Sequence, residues 1–175
     1  MDQVKTIATR NEKILSIAKF VVLFAIAILA PLAQNQLITG TIVNATLFAS
    51  VFVLGFGGAA AIAFFPSVIS LGLGLLPAVM APMAPFIVLG NLILISVFQL
   101  LKGKNYWLSA VSASVLKFAW LFAASQIIIS LFIKKSVAAN IAAMMGWPQL
   151  ATALAGSILA YLFVFKLLKA SKTEI

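Results

Sequence analysis

The chain has no cysteine and no histidine, and its only acids, Asp2, Glu12 and Glu174, lie near the termini. Without cysteine there is no disulfide, no thiol nucleophile and no iron–sulfur ligand set. Without histidine as well, haem ligation by either residue and the usual zinc, nickel and copper sites are excluded. The placement of the acids excludes a carboxylate relay for protons or sodium within a membrane. One further absence is positional: from Phe20 to Leu101 the chain holds no Asp, Glu, Lys, Arg or His. A water-soluble domain could not keep so long a charge-free run in solution. A bilayer demands it, because a charge at the hydrocarbon centre costs about 2.5–3.5 kcal/mol even on the mildest scale.

What is present agrees. The 175 residues are 64% apolar with a mean hydropathy of +1.20, against about 45–50% apolar in soluble domains. A spanning helix takes roughly 20 apolar residues. The expected fold is therefore all-α: one polytopic transmembrane domain over residues 1–175, with six spans near 14–33, 39–54, 59–76, 85–101, 106–133 and 148–168. The first apolar run is too long for a signal-peptide core and lacks a small-x-small cleavage site, so no cleaved leader is expected. Short loops are expected at 34–38, at the Gly55-Phe56-Gly57-Gly58 turn and at Lys102-Gly103-Lys104-Asn105, with a longer one at 134–147. The proline-rich stretch Pro77–Ala84 is expected to be irregular, hence buried in protein or lining a cavity rather than facing lipid. Gly55, Ala59 and Ala63, then Ala151 and Ala155, then Gly156 and Ala160, recur at four-residue spacing, a pattern that lets helices approach closely.

The net charge of +9 reads as topology rather than as nucleic-acid binding. With the N-terminus inside, Lys5, Arg10, Lys13, Lys19, Lys102, Lys104, Lys166, Lys169 and Lys172 lie on the cytoplasmic side, against Lys134 and Lys135 outside: nine against two. Both tails are then inside, which requires an even number of spans. Lys117 remains, about 16 Å into the fifth span at 1.5 Å per residue, near the midplane.

The amides follow the same asymmetry. Gln34, Asn35, Gln36, Asn44, Asn91, Gln126, Asn140 and Gln149 all belong to the outer half or outer loops of this topology. The pattern suggests a pocket open to the outside and floored by Lys117, with Asn44, Asn91, Asn35 and Gln126 as hydrogen-bonding groups. Trp120, three residues from Lys117, would be a stacking wall, and Trp147 with Met144 and Met145 a lid. Each has a structural alternative. Lys117 could snorkel or bond a helix carbonyl, Asn44 and Asn91 could join helix to helix, and the tryptophans could sit in an interfacial belt.

Six short spans with binding groups in the outer half, the phrase Thr39-Gly40-Thr41-Ile42-Val43-Asn44-Ala45, and Pro82-x-x-Pro85-Phe86-Ile87-x-x-Gly90-Asn91 resemble the substrate-binding (S) components of energy-coupling factor (ECF) transporters. The resemblance covers roughly residues 14–168. It implies capture of a vitamin-like micronutrient at the cytoplasmic membrane of a prokaryote. It also implies partnership with a transmembrane coupling subunit and two cytoplasmic ATPases, and neither catalysis nor a cofactor in the chain itself. One feature departs from the family: Ala18, Ala25, Ala27, Ala30 and Ala33 on the first helix include no pair at the four-residue spacing often used for docking. A non-catalytic accessory subunit of a membrane complex is the alternative, and it would have a filled interior.

Overall fold

The computed structural model describes residues 2–75, 78–132 and 135–173, with side chains over 11–75, 80–131 and 138–164. Seven α-helices make up the fold: α1 (Asp2–Leu29), α2 (Gln36–Val53), α3 (Gly55–Gly72), α4 (Ala84–Leu101), α5 (Tyr106–Phe132), α6 (Lys135–Met145) and α7 (Trp147–Thr173), and no strand occurs among the described residues. Among the described residues six stretches are long and apolar enough to cross a membrane: Asn11–Ala33, Gln36–Val53, Gly55–Gly72, Met80–Leu101, Tyr106–Leu131 and Ala138–Val164. Large apolar side chains such as Leu29, Phe64, Leu100, Leu131 and Phe163 stand exposed around the bundle, as lipid-facing positions must. The chain is built as a multi-pass membrane protein.

Several boundaries differ from the expected ones, each for a local reason. The second span begins at Gln36, inside the expected loop, because the Asn35 side chain caps it: its Oδ1 accepts from the backbone N–H groups of Leu37 and Ile38 at 3.0 and 3.2 Å. The Gly55–Gly58 turn is shorter than expected. Gly55 alone takes the left-handed conformation, at φ +72°, and the helix restarts there. Pro77–Ala84 is not wholly irregular, since Ala78–Met83 forms a 3₁₀ helix. The expected loop 134–147 contains the helix α6, which the apolar Val137–Met145 run permits.

The broadest helix contact is between α2 and α7, and the next between α4 and α5. Two glycines set the first. A Cβ on Gly156 would lie 2.7 Å from the Ala45 backbone nitrogen and from Asn44 Cβ, and one on Gly40 would meet Thr152 at 2.9 Å. The expected small-residue face on the sixth span is thus used at Gly156 and Ala160, both buried against the bundle.

Two apolar cores result. One gathers Leu47, Phe48, Leu94, Phe98, Ala113 and Ala153 toward the end of the bundle where α2 meets α3 and α4 meets α5. The other gathers Met80, Met83, Leu121, Ile128, Ile141 and Met145 toward the opposite end. Along α5 the buried stripe runs Ala110, Ala113, Lys117, Leu121, Ala124, Ile128, at the three- and four-residue steps of one helix face. Lys117 occupies the place where one core gives way to the other.

Candidate functional site

Asn44 lies on the interior stripe of α2, Asn91 on that of α4 and Lys117 on that of α5; they are 1%, 2% and 3% exposed. Lys117 Nζ donates to Asn44 Oδ1 at 2.6 Å and to Asn91 Oδ1 at 2.7 Å. Lys117 has no acid partner among the described residues of the bundle, since the acids Asp2, Glu12 and Glu174 all lie near the termini of the sequence. The magnitudes show how the cation is tolerated. Placing it at the membrane centre costs about 2.5–3.5 kcal/mol, and each hydrogen bond to a charged group contributes about 1.5–3 kcal/mol. Two such bonds offset the cost without a counter-ion.

The amide ends of the asparagines are held less firmly. Asn44 Nδ2 donates to Thr152 Oγ1 at 3.3 Å. Asn91 Nδ2 reaches Ala63 O at 3.4 Å and Ser67 Oγ at 3.5 Å. These two acceptors flank Pro66, a buried proline inside α3, where the helix loses a backbone N–H donor.

This cluster lines the floor of a partly open cavity of about 410 Å³, within the range of small-molecule sites. Its walls come from the 3₁₀ turn after α1 (Pro31), from α2 (Thr39, Gly40, Val43), from α3 (Pro66, Ser67, Ser70) and from α4 (Ile87). Gln34, Asn35, Gln36 and Gln149 contribute amides, and Met80, Met144 and Met145 contribute thioethers. Gln36 Nε2 and Gln149 Nε2 both donate to the Met144 carbonyl, at 2.6 and 3.0 Å. That convergence ties the C-terminal end of α6 to α2 and α7 beside the cavity. Lys117 is the one charged residue in the lining among the described residues.

The sequence-derived candidates therefore divide. Lys117, Asn44 and Asn91 converge, Asn35 lines the cavity while capping α2, and Met144 and Met145 line it from α6. Trp120 is not a cavity wall. Its Nε1 donates to the Phe86 carbonyl at 3.0 Å, and its ring packs against the Met80–Leu121 core. Trp120 is half-buried at the edge of the Lys117 face, and its indole turns toward α4 rather than into the cavity. Gln126 is exposed on α5, two residues from the buried Ala124 and Ile128, and so on the opposite face. Trp147, 68% exposed at the start of α7, stands outside the lining, as does Asn140. Thr39, Ser67, Ser70 and Thr152 also line the cavity; none was a sequence-derived binding candidate, since serine and threonine are common in membrane helices. Their one legible signal is helical register: Thr152 is four residues before the small Gly156.

No family model, no curated protein and no solved structure matches this chain.

Proposed function

We propose that the chain is a solute-binding membrane protein that holds a small anionic molecule in the cavity, with Lys117 as the anion anchor. The observation that carries this reading is a buried lysine, free of any acid partner within the bundle, on the floor of a cavity of about 410 Å³. An ammonium in a low-dielectric site leaves a local positive field that an entering anion neutralises, and the pairing is stronger there than in water. The chain's part is binding rather than chemistry: among the described residues the lining offers amides, hydroxyls, thioethers and one amine, and no carboxylate, thiol or imidazole.

In this proposal the protein resides in the cytoplasmic membrane of a prokaryote, with both tails inside and the cavity facing out. It acts as an S component, delivering a micronutrient through an ECF-type coupling subunit and its ATPases. Support for the orientation is the nine-to-two distribution of cations named above. Support for outward access is that the cavity lies at the end of the bundle carrying the 34–35, 74–75, 80–87 and 144–149 segments, opposite the Lys102–Asn105 turn.

A second reading has an observation of its own. The two short Lys117 bonds join α5 to α2 and α4, as a structural clip in an accessory subunit would. Native mass spectrometry of gently purified wild type and Lys117→Met separates the two. Solute binding requires a small-molecule adduct on the wild type that is lost from a folded Lys117→Met protein. A wild type free of adduct, paired with a Lys117→Met protein that no longer folds, selects the clip. An adduct retained in full by Lys117→Met removes Lys117 from the anchor role.

A further inference from the structure

We infer that the cavity is selective for amphiphilic monocarboxylates, and that the bound carboxylate replaces the Asn44 and Asn91 side-chain oxygens on the Lys117 ammonium. The inference rests on the solute-binding reading and narrows it to a chemical class.

The first argument is charge. Among the described residues Lys117 is the one charged group in the lining. A monoanion cancels it. A dianion would leave one uncompensated negative charge in a largely apolar site, and an amine would add a second positive charge; both are penalised steeply at low dielectric. The second argument is the distribution of bond lengths. The asparagine oxygens hold the ammonium at 2.6 and 2.7 Å, whereas their amide nitrogens make only long contacts of 3.3, 3.4 and 3.5 Å. Turning either amide over about its terminal torsion, which has broad wells, gives up its long N–H₂ contact together with its short bond to Lys117 Nζ; the entering carboxylate replaces the latter on the ammonium, and the amide N–H₂ then faces the carboxylate. A two-oxygen anion bound at Nζ then finds donors on both flanks, and a carboxylate has acceptor sites for all three groups. The third argument is the wall. Beyond the floor, Val43, Leu75, Met80, Ile87 and Met144 supply apolar surface, which suits a hydrocarbon body rather than a sugar or a free phosphate.

The test is a matched panel of eight-carbon compounds: octanoate, octanamide, octylamine, suberate and octyl phosphate, the last at pH 8, where a phosphate monoester is mainly a dianion. Each is titrated to about 10 mM against the purified protein, and Tm is followed by tryptophan fluorescence. Octanoate is expected to raise Tm with a midpoint at least about tenfold below any other member, equivalent to about 1.4 kcal/mol of discrimination. Asn44→Asp fixes a carboxylate beside the ammonium in advance. It is expected to raise Tm without additive and to abolish the octanoate response. Suberate or octyl phosphate at or below the octanoate midpoint overturns the monoanion class while leaving an anion pocket. Octanamide or octylamine as the best binder overturns the anion assignment. No shift with any member overturns the class, and the adduct measurement on untreated wild type then decides the solute-binding reading on its own.

Discussion

Gly156→Ala is the sharpest probe of how this bundle is assembled. The added methyl would stand 2.7 Å from the Ala45 nitrogen and from Asn44 Cβ, and 2.9 Å from the Thr41 carbonyl oxygen. None of these atoms is the far end of a flexible side chain, so relief requires α2 and α7 to separate. Overpacking of this kind costs about 1–3 kcal/mol. The intrinsic gain of alanine over glycine within a helix returns about 0.5–1 kcal/mol, leaving a net loss of about 1.25 kcal/mol at the middle of both ranges and of at most about 2.5 kcal/mol. For a chain of this size each kcal/mol moves Tm by about 2–4 °C, so Tm should fall by about 2.5–5 °C and by no more than about 10 °C. The control is Gly57→Ala in α3, where a Cβ meets no atom within 4 Å; its Tm should hold or rise. Both variants are compared by thermal unfolding in the same detergent or nanodisc. Because the Gly156 methyl presses on Asn44, the first variant should also weaken retention of a cavity ligand, whereas the second should not. A Gly156→Ala protein as stable as Gly57→Ala would refute the close α2–α7 approach, and with it the placement of Asn44 beside Lys117.

Two other perturbations test orientation and the site's limits. The chain is free of cysteine, so single cysteines report without background: in intact cells a membrane-impermeant maleimide should label Gln34→Cys at once and Lys104→Cys only after lysis, and the reverse order would invert the proposed topology. Trp120→Phe removes the bond to the Phe86 carbonyl and should lower stability by about 0.5–1.5 kcal/mol while leaving ligand binding intact; lost binding at unchanged Tm would return Trp120 to the cavity.

Much of the site was legible because membrane sequences make polar residues expensive. Lys117, Asn44 and Asn91 stood out as polar groups at membrane depth, and a lysine in such a place needs acceptors. A shared pocket was expected from their common placement, but the direct Lys117–Asn44 and Lys117–Asn91 bonds were not legible, since they depend on three helices each turning one particular face inward. Trp120 shows the limit of spacing arguments: three residues from Lys117, it still turns to a different neighbour, and its indole N–H is satisfied by a backbone carbonyl of α4. The α6 helix was missed because its polar start reads as loop, while its apolar remainder is too short to span and forms a helix that packs through Ile141 and Met145.

The sequence by itself determined that the chain is helical, that six stretches can cross a bilayer and that a single cation would be left at depth. Those properties follow from residue-by-residue transfer costs and from the need to satisfy every backbone group within its own segment. The tertiary structure alone decided which polar groups meet, that a cavity remains above them and which amides border it. Lipid tails are as apolar as the protein interior, so helix faces in a membrane are chosen by close packing and interhelical hydrogen bonds. Here those are the Gly156 and Gly40 approaches and the bonds from Lys117 to two asparagines.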